Sequence, residues 1–278
     1  MNETFANPDV LKFYRELPFN YRESAQSHAK EIRRSNAVAA GYPVLLPLLK
    51  KNTTVLDVGC GSGWFSLNTA YHYGCAVTGI DFNEVATKRA REVAAALGVP
   101  VRFETADLFR YKPAAPFDLA VSIGVLMCTN DCFAAVRRVC AEFVKPGGHA
   151  FIGLYHSYGR RPFLDHFRKM GAAGATEAAM LAEYRRLHPL TDETHLLSWF
   201  RDQVLHPHET QHTLAEMLPI LAETGMKLVS TSINQFGSVA DMESILKIEP
   251  ELERVSAERL AQGRYFPGFF VFLAQKAR

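Results

Sequence analysis

The chain is sparing with cysteine, tryptophan and net charge. Five cysteines among 278 residues are an odd number without framework spacing, which excludes a disulfide-stapled scaffold and leaves reduced thiols as the expectation. A formal charge of +2 provides no broad electrostatic footprint for nucleic acid or an anionic membrane. No apolar run approaches membrane-spanning length, and Met1 to Phe5 hold no basic region leading into an apolar one. The expectation is a cytoplasmic protein with neither a nucleic-acid nor a membrane partner. Repeats, low-complexity tracts and proline- or serine-rich linkers are missing too, so nothing marks off independent domains.

What is present is a core-forming composition, 48% hydrophobic, that suits one large α/β domain with an appended cap. The stretch Val55 to Trp64 is an apolar strand running into Gly59, Gly61 and Gly63. Only glycine lets a backbone turn that tightly and admit a ligand against its amides. A dinucleotide fingerprint needs another glycine three residues past Gly61, and that position is Trp64. Two more apolar runs end in acids: Cys75 to Ile80 before Asp81, and Val101 to Thr105 before Asp107. Ligands of an open parallel sheet bind beyond the carboxyl ends of its strands, so Asp57, Asp81 and Asp107 are expected to converge there. Phe117 to Ser122 reads as a fourth strand, and Lys145-Pro146-Gly147-Gly148 turns into a fifth, His149 to Tyr155.

The Asp-x-Gly-x-Gly-x-Gly loop, an acid 24 residues after Asp57, and the Lys-Pro-Gly-Gly turn together resemble class I S-adenosylmethionine-dependent methyltransferases over about residues 50 to 155. The resemblance implies an α/β fold. Its sheet would be Rossmann-like, seven-stranded and mixed, of order 3-2-1-4-5-7-6, with helices on both faces. It implies S-adenosylmethionine as cofactor, contacted by Asp57, Gly59, Cys60, Gly61, Gly63, Asp81, Phe82, Asp107, Leu108 and Ser122. Gly61 is expected to leave no room for a side chain. Met127 and Cys128 stand where many members carry histidines, which argues against a catalytic base in that loop.

Four regions are expected: residues 1–50 a helical cover, 51–155 the cofactor-binding half, 156–212 a substrate cap, and 213–278 the rest of the sheet. In the cover, Tyr14, Phe19 and Asn20 precede Tyr21 and Arg22, whose flat bodies and donors suit acceptor contact. Thr213 to Glu216 has the form of a capping box, which ends the cap. Lys227 to Phe236 and Arg264 to Ala274 read as the last strands, with a charged helical stretch, Val239 to Gln262, between them.

Eight of ten histidines fall between His149 and His212. His156 and Tyr155, closing the fifth strand, are the expected catalytic pair, and His206, His208 and His212 are expected to approach the acceptor from the cap. The run His208-Glu209-Thr210-Gln211-His212 matches the zinc-peptidase pattern, but Pro207 precedes it and Thr213 opens a fresh helix. A metal role for it, a nucleophilic or metal role for Cys128 with Cys132, and plain structural hydrogen bonds are the competing readings; no metal is expected. The leading function is methyl transfer to an oxygen, nitrogen or sulfur of a small-molecule acceptor. A transfer RNA or protein acceptor is the alternative, and a non-catalytic cofactor-binding protein the alternative of another class.

Overall fold

The computed structural model describes residues 7–188 and 190–278. Seven strands form one sheet: β1 (Thr54–Val58), β2 (Ala76–Asp81), β3 (Arg102–Thr105), β4 (Phe117–Ile123), β5 (Val144–Tyr155), β6 (Met226–Thr231) and β7 (Phe269–Lys276). Their order is β3-β2-β1-β4-β5-β7-β6, as expected, with β7 antiparallel to both β5 and β6. After β3 the chain returns to the other side of β1, so the crossovers on β1 and β4 diverge and leave a crevice at their carboxyl ends.

The first helices are α1 (Pro8–Glu16), α2 (Ala25–Arg34) and α3 (Ala37–Gly41); α4 (Trp64–Tyr73), α5 (Glu84–Leu97) and α6 (Cys132–Arg138) follow strands. The cap region holds α7 (Ser157–Ala172), α8 (Glu177–Leu187) and α9 (Glu193–Val204), and α10 (Leu214–Glu223), α11 (Met242–Ile248) and α12 (Glu251–Ala261) complete the chain. Aliphatic and aromatic side chains of the strands alternate between the two faces. Leu56, Ile152, Phe270 and Phe272 enter one core cluster, while Val55, Phe151, Val271 and Leu273 enter another. The cap has a cluster of its own, in which Phe163, Tyr184, Leu196 and Phe200 are buried.

Three strand limits depart from expectation for local reasons. The fifth strand begins at Val144, because Phe117 pairs with Val144 before the pairing shifts and resumes at Leu119 with His149; the Lys-Pro-Gly-Gly turn is an irregularity inside the strand. The sixth ends at Thr231, since Gln235 and Phe236 take left-handed backbone (φ 56° and 62°) that no strand continues through. The seventh starts only at Phe269, after Gly268 turns with φ 60° against Gly159 and Arg160 of α7. A Cβ on Gly268 would lie 2.3 Å from the Arg160 nitrogen, so only glycine fits.

The cap is joined to the sheet by a buried polar junction. His156 caps α7: its Nδ1 accepts from the backbone N–H groups of Tyr158 and Gly159, both at 3.3 Å. Nε2 therefore carries the proton and donates to Glu249 Oε1 at 2.9 Å. Glu249, in the turn between α11 and α12, also accepts from Leu214 N (2.5 Å) and Ala215 N (3.3 Å) at the start of α10. The capping box at Thr213 and Glu216 is present as read. Because Glu249 serves two helix starts and is only 3% exposed, Glu249→Ala should cost about 2 to 4 kcal/mol, the price of stranding several buried donors. Equilibrium urea unfolding checks this.

Candidate active site

The crevice is a cavity of about 460 Å³ at the carboxyl ends of β1, β2 and β4, closed over by α1, the cap and the segment before β7. Its floor is the turn after β1. Gly59, Gly61 and Gly63 all take left-handed backbone, with φ of 74°, 52° and 87°. The Gly59 and Cys60 amides both donate to the Ile80 carbonyl at 2.8 and 3.0 Å, which binds the turn to β2. A Cβ on Gly59 would lie 2.4 Å from Val125, and one on Gly63 2.9 Å from Leu67 and Phe103. At Gly61 it would meet no atom within 4 Å. Protein atoms thus crowd its two neighbours, whereas the space beside Gly61 opens into the cavity.

Asp81, the last residue of β2, accepts from Gly61 N at Oδ2 and from Asn83 N at Oδ1, both at 2.8 Å. Burial pushes its carboxyl up to about 6, against the pull of those two amides. Asp57 is 4% exposed, and Ser66 Oγ donates to it at 2.6 Å; burial nevertheless pushes it up to about 7. Asp107 accepts from Phe109 N at 2.9 Å. These three acids line the cavity together with Cys60, Phe82 and Leu108. Ser122 does not: it is fully buried, and its hydroxyl donates to the Val58 carbonyl inside the sheet at 3.0 Å.

The remaining expected site residues divide. Tyr155 lines the cavity, but His156 lies outside it with both ring nitrogens occupied by Tyr158, Gly159 and Glu249, so it is a helix cap and not a free base. Tyr21 and Arg22 also stand outside: the Arg89 guanidinium sits 4.3 Å over the Tyr21 ring, and Arg22 pairs with Glu31 at 2.8 Å. His206 accepts from His208 N and packs against Phe13 and Tyr14; His208 meets the Thr129 carbonyl at 3.0 Å, and His212 meets Thr210 Oγ1 at 2.8 Å. None of the three lines the cavity. The peptidase-like run is extended, with His212 bridging to His156, so its two histidines never share a helix face. Glu209 is taken by Arg160, and no group able to hold a metal occurs among the described residues. Burial raises Cys128 well above the ordinary thiol range and Cys132 to about 12, which leaves no thiolate near neutrality.

The structure adds residues that the pattern did not single out. Asp202 and Gln203, near the end of α9, line the cavity with Trp199 and Tyr265. Tyr14 of α1 donates to Asp202 Oδ1, and Gln203 Nε2 reaches both Asp202 Oδ2 (2.6 Å) and Tyr155 Oη (2.5 Å). Arg160 is fully buried, donates twice to Glu209 (3.0 and 2.9 Å), and stands 3.9 Å over the Tyr155 ring. A signal existed: Gln203 continues the apolar positions Leu196, Trp199 and Phe200 at helical spacing, and a polar residue in such a stripe needs an explanation.

Comparison with known proteins agrees with this geometry. Residues 55–148 match the family described as methyltransferase domain. The ubiquinone biosynthesis O-methyltransferase of Ralstonia nicotianae is 32% identical over 161 residues, covering 56% of this chain and 66% of that protein. Across the curated relatives compared, the chain spans 39% to 66% of their length. Two solved structures share the fold. PKMT2 from Rickettsia typhi in complex with AdoHcy has TM-score 0.59 and 16% identity over 82% of this chain and 50% of that one. Magnesium protoporphyrin IX methyltransferase from Synechocystis with bound SAH has TM-score 0.55 and 15% identity over 98% and 95%. Fold and domain match together bear out the resemblance to class I S-adenosylmethionine-dependent methyltransferases, a family that uses S-adenosylmethionine. Within this chain, the match to a methyltransferase domain covers residues 55–148.

Because Asp81 keeps its proton in the folded protein at pH values where the unfolded chain has lost it, its ionisation opposes folding as pH rises from about 4 to about 6. Asp81→Asn removes that term. Its stability relative to the parent should therefore improve across this window, as measured by urea unfolding at pH 4 and pH 7.

Proposed function

We propose that this chain transfers the methyl group of S-adenosylmethionine to an oxygen of a small-molecule acceptor. The observation that carries the reading is a single cavity holding the open Gly61 cradle and Asp57, Asp81 and Asp107, and reaching Tyr155 and Asp202. The residues present fit the cofactor. Gly61 leaves the space that backbone and ligand must share, Asp81 presents acceptor positions to ribose hydroxyls, and Asp107 presents one to the adenine amino group. No lysine, arginine or histidine occurs among the described residues lining the cavity, so its charge is wholly acidic and suits a cationic ligand.

When bound, S-adenosylmethionine supplies an electrophilic methyl on a sulfonium. The chain itself then binds, orients and excludes water: Trp199, Tyr265 and Phe269 wall the cavity, and α1 lies across it. The oxygen acceptor is supported by the ubiquinone biosynthesis O-methyltransferases among the relatives.

Calorimetry with S-adenosylhomocysteine, followed by transfer from methyl-labelled cofactor to a panel of phenols and alcohols, tests the proposal; binding without labelled product would leave a non-catalytic binder. In Gly61→Val, branched atoms enter the open cradle at a left-handed position. This variant should stay folded by circular dichroism and bind S-adenosylhomocysteine at least ~10-fold more weakly, a loss of about 1.4 kcal/mol or more.

A further inference from the structure

We propose that Asp202 is the proton acceptor for a neutral, flat aromatic hydroxyl, which is the acceptor class this cavity selects. The inference rests on the methyl-transfer reading above and adds to it a base and a substrate class.

Three donors fix the carboxylate. Tyr14 holds Oδ1, while Gln203 Nε2 at 2.6 Å and Tyr155 Oη at 3.5 Å hold Oδ2. Gln203 cannot turn over, because its Oε1 is itself bound by Arg160 Nη1 (3.0 Å) and Tyr265 Oη (2.9 Å), which aims its amide nitrogen at Asp202 and Tyr155. An ionised carboxylate offers about four acceptor positions. Three are filled, so one on Oδ1 remains for a donor in the cavity. That count matches a hydroxyl, with one proton to give, better than an ammonium group with several.

Among the described residues no cation forms an ion pair with Asp202. Arg160 spends its charge on Glu209, and burial lowers His206 from its ordinary value, keeping it neutral near pH 7. The hydroxyls of Tyr14, Tyr155, Tyr184 and Tyr265 and the thiol of Cys128 are all pushed up by burial and stay protonated. Asp202 itself is raised by burial first, with His206, Tyr14, Gln203 and Arg160 pulling the other way. A carboxylate so placed is a stronger base than one in water. The acidic lining also repels acceptors that carry a carboxylate or phosphate, and Phe19, Trp199, Tyr265 and Phe269 provide faces for a ring.

In the transfer, the acceptor oxygen gives an electron pair to the methyl carbon as the carbon–sulfur bond of S-adenosylmethionine breaks onto sulfur. The hydroxyl proton passes to Asp202, which returns it to solvent when the aryl methyl ether and S-adenosylhomocysteine leave. Charge and atoms balance: a sulfonium and a neutral phenol become a thioether, an ether and one proton.

The chain has two tryptophans, and both Trp64 and Trp199 line the cavity, so intrinsic fluorescence reports acceptor binding without turnover. Catechol should quench it with an affinity at least ~10-fold above that of 4-hydroxybenzoate, one unit of pK difference in binding. Asp202→Asn in the full chain should lower kcat by about 10²- to 10⁴-fold, leave S-adenosylhomocysteine affinity within about threefold, and abolish the acid limb of the rate profile. Tyr14→Phe is the milder variant. Losing a donor to the ionised carboxylate raises Asp202 further, so the acid limb should move to higher pH, a displacement that a merely structural loss of rate would not produce. An unchanged acid limb in both variants overturns Asp202 as base, and 4-hydroxybenzoate or an arylamine handled as well as catechol overturns the acceptor class. Failure of the parent to bind S-adenosylhomocysteine overturns instead the methyl-transfer reading on which the inference stands.

Discussion

One contact organises the first half of the sheet: the carboxylate of Asp81 held 2.8 Å from the amide of Gly61. It ties the end of β2 to the turn leaving β1, and with the two amides on the Ile80 carbonyl it holds a run of left-handed backbone in one conformation. The N-terminus of α4 is aimed by that turn, since Gly63 is its cap residue. Asp81 is costly where it stands, since desolvation raises it to about 6. A carboxylate kept in such a place against its solvation is the kind of group expected at a ligand site.

A second polar centre, Arg160, does for the cap what Asp81 does for the turn. A fully buried guanidinium is tolerated because every direction is answered: Glu209 on one side, the Gln203 carbonyl and side-chain oxygens on another, the Tyr155 and Phe163 faces beneath. Its partners come from β5, α9 and the strand-like segment before α10. The cap thus shares one polar network with the carboxyl end of β5 at the cavity wall, and the geometry around Gln203 follows from it.

The strands of the first half were legible because each ends at or near a glycine or aspartate, and β7 because its Phe-rich run reads as buried, whereas their order in the sheet came from the family resemblance alone. The convergence of Asp57, Asp81 and Asp107 on one cavity followed from strand ends, which are local. The acceptor side was not legible in the same way. Tyr14, Asp202 with Gln203, and Tyr265 come from three separate segments, and no spacing rule relates α1 to α9. The N-terminal segment is legible as a cover, and Tyr14, Phe19 and Asn20 of it reach the cavity, whereas Tyr21 and Arg22, favoured on side-chain chemistry, do not. Histidine abundance misled because the ring satisfies backbone groups as readily as it moves protons; His156 does so at a helix start and His208 at the Thr129 carbonyl. Ser122 points along the sheet to Val58 instead of into the crevice.

The hydrogen bond from Tyr14 to Asp202 has an energetic meaning that reaches beyond the two side chains. Besides it, α1 is fastened by the Asn83 amide on the Tyr14 carbonyl and by ion pairs of Arg15 with Glu84 and Glu16 with Arg201. Detaching this helix must break the Tyr14 bond, and that bond is stronger to a carboxylate than to a carboxylic acid. By reciprocity, whatever favours the ionised form of Asp202 also favours the seated helix, and protonation loosens it by the same free energy. The seating of the cover and the ionisation of the carboxylate are therefore thermodynamically linked, alongside the ion pairs that also hold α1.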